Sequence, residues 1–199
     1  MMNYTMTPKT GNYSLTGYPA GLLALGDLTL DPTGPLYPFM LTFLAASAGL
    51  TAVYDAAKYA TFMQGTAGIF PAKALAAKVS LADCVAKVRA GALPQQDAEI
   101  RLCAMLMNSA YESLDDAAIA KLQGDPVFEV FSHVRNAASH NNKWLFKAHQ
   151  PVNPAAWKRF ALDHTQKGNA NPLQGQRCIY GSLLPGDLLF LLRDVETLI

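Results

Sequence analysis

Residues 132–140 read Ser-His-Val-Arg-Asn-Ala-Ala-Ser-His and gather a guanidinium, two imidazoles, an amide and two hydroxyls into one short run. Imidazole, with an unperturbed pKa of about 6.5, can both accept and donate a proton near neutral pH. Guanidinium offers planar, permanently charged donors that match phosphate oxygens. A base, an acid and a fixed cation are what displacement at a phosphate ester requires. On a helical wheel at about 100° per residue, Val127, Val130, Phe131, Val134, Ala137 and Ala138 share an arc of roughly 120°. Arg135, Ser139, Ser132, Asn136, Glu129, His140 and His133 fall on the opposite arc, with Phe128 as the apolar exception. The expected arrangement is a core stripe behind and a mixed polar face in front. Surface helices that need only solubility usually carry Lys and Glu instead.

The element holding these residues has clear boundaries. Asp125-Pro126 supplies a cap followed by a first-turn proline, and Asn141-Asn142 supplies a stop, so the spacing predicts a helix from Pro126 to about Asn141. Upstream, one helix is expected from Leu36 to Gln64, closed by Gly65 and Gly68. A second is expected from Pro71 to near Gly91, with Leu75, Val79, Ala82, Val85 and Val88 at intervals of three and four. A third should start near Pro94, run through Ile100, Cys103, Met107, Tyr111 and Leu114, and fade near Gly124. Tyr111 and Met105 read as core. Downstream, Asn153-Pro154 is expected to open a short amphipathic helix through Ala156, Trp157, Phe160 and Ala161. Residues 165–181 read as a loop, and Pro185-Gly186-Asp187 begins a last helix. Trp144 and Trp157 sit at apolar spacings and are expected in the core. Residues 1–35, rich in Tyr, Thr, Gly and Pro, read as an irregular arm before a helical domain over 36–199. The expected fold class is all-α, an antiparallel bundle of about four main helices with shorter ones packed on it.

The string Val134-Arg135-Asn136-Ala137-Ala138-Ser139-His140 resembles the Arg-x4–6-His motif of the HEPN superfamily, in which the residue after Arg is commonly polar, as Asn136 is. The resemblance covers residues 126–142. A second Arg-x4-His, Arg159 to His164, has Phe160 in place of the polar neighbour. In that family the motif sits on a late helix of a bundle, and many members are metal-independent ribonucleases of toxin–antitoxin, abortive-infection and CRISPR systems that act as dimers. The resemblance therefore implies RNA cleavage by attack of the 2′-hydroxyl on the adjacent phosphate, with no metal or cofactor. It implies His140 as general base or acid, Arg135 as phosphate stabiliser, and Asn136, four residues before His140, as an orienting group. Ser139, His133 and Lys143 are further candidates for substrate contact. Arg135 and His140 lie about 140° apart on one helix, so a homodimer in which each Arg approaches the other chain's His would complete the site. The implied partners are RNA, a second copy and an antitoxin protein. A non-catalytic HEPN-like domain that binds RNA, a nucleotide or a protein is the alternative.

Composition narrows the class. Apolar residues make up 51% and charged residues 16%, enough for a core and unlike a disordered chain. Net charge is +1, yet 126–168 holds six basic residues (Arg135, Lys143, Lys147, Lys158, Arg159, Lys167) against Glu129 and Asp163, a local +4 that suits a polyanion. Cys84, Cys103 and Cys178 are unpaired in spacing, which argues against a disulfide framework or a zinc module. No phosphate-binding Gly-rich loop, His-Glu-x-x-His or Gly-x-Ser-x-Gly occurs. The start of the chain lacks a signal pattern, so a cytoplasmic location is expected. Residues 32–54 carry no charge and are long enough to cross a bilayer. Their prolines and polar residues, and the periodicity running on into Asp55 and Lys58, favour instead a helix buried in the bundle or at a dimer seam.

Overall fold

The computed structural model describes Leu28 and residues 30–55, 68–70, 77–79 and 85–199. Its elements are α1 (Tyr37–Tyr54), β1 (Gly68–Phe70), β2 (Ala77–Val79), a π-type turn (Val88–Ala92), α2 (Gln95–Glu112), α3 (Asp116–Leu122), α4 (Pro126–Ser139), β3 (Ala155–Trp157), β4 (Phe160–Leu162), a 3-10 turn (Gly168–Ala170) and α5 (Pro185–Glu196). Helix prevails, but the protein is not all-α. β1 pairs antiparallel with β2, Gly68 opposite Val79, and β3 with β4, Ala155 opposite Leu162. Contacts divide the chain into one compact unit over Leu44–Glu99 and another joining residues up to Phe43 with Ile100–Ile199.

Several expected helices are corrected. The stretch read as a second helix from Pro71 contains β2, and Gly68, read as a helix stop, opens β1; residues 56–67, 71–76 and 80–84 lie outside the described residues. The third helix is two, because the Asp115 side chain accepts from Ala118 N at 2.7 Å and caps a new helix at Asp116. The helix expected after Asn153-Pro154 is the β3–β4 hairpin. Burial there alternates, with Ala155 and Trp157 inside and Ala156 outside, and Lys158 at φ 54° turns the chain. Ala156, Trp157, Phe160 and Ala161 do recur at helical intervals, but so short a run also fits a hairpin. Met105, read as core, is 66% exposed. Helix α1 forms, and among the described residues it is the one helix long and apolar enough to cross a membrane. Within the single chain it is not buried in a bundle, since only 17% of it is covered; Met40, Phe43 and Ser47 face inward and Leu41 is exposed.

In the larger unit, α4 packs against β3 and α5. Val130, Phe131, Val134 and Ala137 of α4 and Leu188, Leu191, Leu192 and Val195 of α5 are fully buried. Trp157 is held by its Nε1–H, which donates to Asp194 Oδ2 at 2.9 Å; Lys158 Nζ (3.0 Å) and Arg193 also reach that carboxylate. Burial works against ionisation of Asp194, but these donors outweigh it and hold the carboxyl below its ordinary range.

A layer of mostly irregular chain over 141–183 closes the unit. Asn141 and Asn142 adopt φ 55° and 61°, left-handed conformations that asparagine tolerates and that end α4. The buried Asn142 side chain then acts as a strand substitute: Oδ1 accepts from Ile179 N at 2.7 Å and Nδ2 donates to Ile179 O at 2.8 Å. Trp144, fully buried, stacks between Phe146 and Phe160 and donates from Nε1 to Ser182 Oγ at 2.9 Å. Both tryptophans are core, as their spacing indicates. Asn142→Ala orphans two buried backbone groups and is expected to cost about 2–3 kcal/mol, whereas exposed Asn141→Gly keeps the conformation and should change stability by less than about 0.5 kcal/mol. Urea unfolding midpoints of the two variants check this.

Candidate functional site

Helix α4 is fixed at both ends. Asp125 Oδ1 accepts from Val127 N (2.8 Å) and Phe128 N (3.2 Å), and Pro126 fills the first turn. At the other end His140 is the cap residue, its N–H donating to Ala137 O at 3.1 Å. The start and the stop therefore fall where the sequence indicates.

The polar residues of this helix do not form one open face. Toward α2, Arg135 Nη2 forms an ion pair with Glu112 Oε1, and its guanidinium lies 4.8 Å from the centroid of the Tyr111 ring. Tyr111, half-buried, stacks in turn against Phe128 and Phe131. Arg135 Nε is buried and finds no acceptor among the described residues. Ser139 Oγ donates on the same side to Asn108 Oδ1 at 2.8 Å. Toward the layer after α4, Asn136 Nδ2 donates to Leu145 O at 2.8 Å. Glu129 Oε1 accepts from Asn153 Nδ2 (2.8 Å) and Gly124 N (2.9 Å). His133 meets the Phe146 ring edge-on at 5.4 Å.

Two expected site residues have contacts that the sequence does not indicate. His133 is buried, 7% exposed, and sits under Phe146 rather than at a substrate face. Asn136 donates one amide N–H to the Leu145 carbonyl and so anchors the loop, a role the sequence does not indicate. Phe128, the apolar exception on the wheel, is core. His133 and Asn136 share one reason, that residues 142–153 lie over a side of α4 that helical periodicity alone assigns to water; Phe128 is covered instead by Tyr111 of α2. The structure brings Arg135 and Ser139 together against α2, and leaves His140 and Lys143 exposed at the helix end. The second Arg-x4-His does not lie on a helix, because Arg159 is in the β3–β4 turn and His164 follows β4.

Sequence reasoning missed Glu112, Asn142 and Arg177. Arg177 is opposite Lys143 in an isolated antiparallel bridge. A non-local pairing of two loop segments leaves no periodic signal, so only its charge could have drawn notice. Among the described residues no group of three or more His, Cys, Asp or Glu could hold a metal ion.

The molecule is thus a helix-rich protein with a capped, clipped helix ending in an exposed imidazole and a basic corner. No family model matches the chain, and neither a curated protein nor a solved structure is similar to it.

Burial pushes the His133 pKa down, with the Glu129 carboxylate opposing it only in part. The folded state therefore resists a proton that the unfolded chain accepts at about pH 6.5. This contribution to stability is complete above that value and is lost as pH falls toward the lowered folded pKa. His133→Phe, which keeps a ring against Phe146, is expected to shrink the loss of urea midpoint between about pH 7.5 and about pH 5. An unchanged acid limb would show that His133 does not couple to folding.

Proposed function

We propose that this protein acts on RNA as a HEPN-type, metal-independent endoribonuclease, of the toxin or defence kind, working as a homodimer. His140 moves the proton and Arg135 stabilises the phosphate, the two copies of α4 completing each other's site. The observation that carries this reading is the state of the two motif residues: His140 is exposed at the end of α4, and Arg135 is committed only to a partner that solvent can reach. The Arg135–Glu112 pair has side chains 31% and 65% exposed, and such pairs are worth at most about 1 kcal/mol. A phosphate with two charged oxygens competes well for the same guanidinium. Tyr111 beneath it holds the plane of the group while the partner changes.

A second reading, RNA binding without turnover, is favoured by one observation. Asn136, the polar neighbour that marks the motif, is used to hold Leu145.

The readings separate in a single assay. With single-stranded RNA in excess EDTA, wild type should cleave. His140→Ala should lower the rate by about 10²–10⁴, and Arg135→Lys by about 10²–10³, since ammonium lacks the planar fork. His164→Ala should cleave like wild type. Equal cleavage by wild type, His140→Ala and Arg135→Lys would remove the assignment, and bound but intact RNA selects the second reading. Glu112→Gln releases Arg135 and should tighten RNA binding about threefold at low salt. A strictly monomeric species by light scattering at micromolar concentration would defeat the composite site.

A further inference from the structure

We propose that Lys143 and Arg177 form a two-cation clamp for the phosphodiester backbone of single-stranded RNA, beside His140 and separate from Arg135. This rests on the RNA reading above. The two residues are partners in an antiparallel bridge whose hydrogen bonds run from Trp144 N to Gln176 O and from Cys178 N to Asn142 O, both 2.9 Å. Those bonds flank the pair and leave it without mutual backbone bonds, the arrangement in which opposed side chains approach closest. Asn142 and Trp144, on either side of Lys143, are buried, as is Cys178 after Arg177, while Lys143, Gln176 and Arg177 are exposed. Directly opposed residues of an antiparallel bridge share one side, and burial on either side of Lys143 makes that side the outer one.

Like charges directly opposed across a strand pair are unfavourable, and nothing nearby offsets this pair. Neither residue has a carboxylate or side-chain hydrogen-bond partner among the described residues. The backbone beneath them is rigid. Asn142 clamps Ile179 on one side, and Trp144 is bonded to Ser182 on the other. Behind Arg177 the chain turns so tightly that a Cβ on Gly181 would lie 2.2 Å from the Arg177 carbonyl oxygen. Two cations held at fixed bases with free tips fit one phosphate: the guanidinium takes two oxygens side by side and the ammonium adds a point charge. An extended strand is preferred over a mononucleotide because the exposed segment continues through Lys147 and His149. Lys143 N donates to the His140 carbonyl at 3.2 Å, so the clamp begins at the turn that carries His140.

Arg177→Glu provides the decisive variant. It turns an opposed like-charge pair into an opposed ion pair, so the protein should fold with an unchanged or higher melting temperature while RNA affinity falls about tenfold or more. Lys143→Ala/Arg177→Ala should reduce the magnitude of the salt slope of RNA binding by about 0.7, the loss of one neutralised single-strand phosphate. Lys158→Ala, whose ammonium is paired with Asp194, should bind like wild type. Anisotropy of a labelled single-stranded RNA reads all three, with pyrophosphate as competitor. Arg177→Glu binding RNA as tightly as wild type overturns the clamp, even if cleavage is present and lost with His140→Ala. No cleavage by wild type, with affinity still lost in Arg177→Glu, keeps the clamp and removes the nuclease. Stronger competition by pyrophosphate than by unlabelled RNA would replace the strand with a free phosphate ligand and overturn the proposal, as would no RNA binding at all.

Discussion

An irregular segment can lie against a protein core only if its buried peptide groups find partners, because a strand ladder or helix no longer supplies them. Here that obligation falls on Asn142. Its amide pairs with both backbone groups of Ile179, and the hydrogen bonds of Trp144 and Cys178 line up on either side. This link fixes where residues 143–153 leave α4, and the bonds from Asn136 to Leu145 and from Asn153 to Glu129 then hold the layer against the helix. The aromatic stack of Phe146, Trp144 and Phe160 supplies the apolar weight, but the asparagine sets the register.

The environment of α4 follows from that layer. One side meets the core, one meets α2 through Arg135 and Ser139, and one meets the loop through Asn136 and Glu129. Polar side chains serve as connections between elements as much as points of contact with solvent. Only the end of the helix, from His140 onward, is plainly open.

What could be read from the chain beforehand divides along the same physical line. Local signals were legible: the Asp125 cap with Pro126, the left-handed stop at Asn141-Asn142, and the last helix from Pro185. Each is decided by neighbours a few residues away. The core tryptophans were legible from apolar spacing. The β3–β4 hairpin was misread because four apolar positions within six residues fit a helical turn as well as a hairpin, and the left-handed Lys158 is not a residue type that announces a turn. The break at Asp115 hides inside a continuous helical pattern. For the site, residue types were visible, but their solvent access was not. A wheel assigns faces by angle and knows nothing of a segment that returns to cover one of them, which is why His133 is buried and Asn136 is tied to the loop.

The clipped state of α4 also governs how experiments on this protein must be interpreted. Truncating Asn136 or Glu129 removes a fastening as well as a functional group, so an inactive variant at either position reports on architecture under the guise of catalysis. The exposed side chains of His140 and Lys143 at the helix end carry no such double meaning. Changes there leave the scaffold standing, and a lost activity can be traced to the group that was removed.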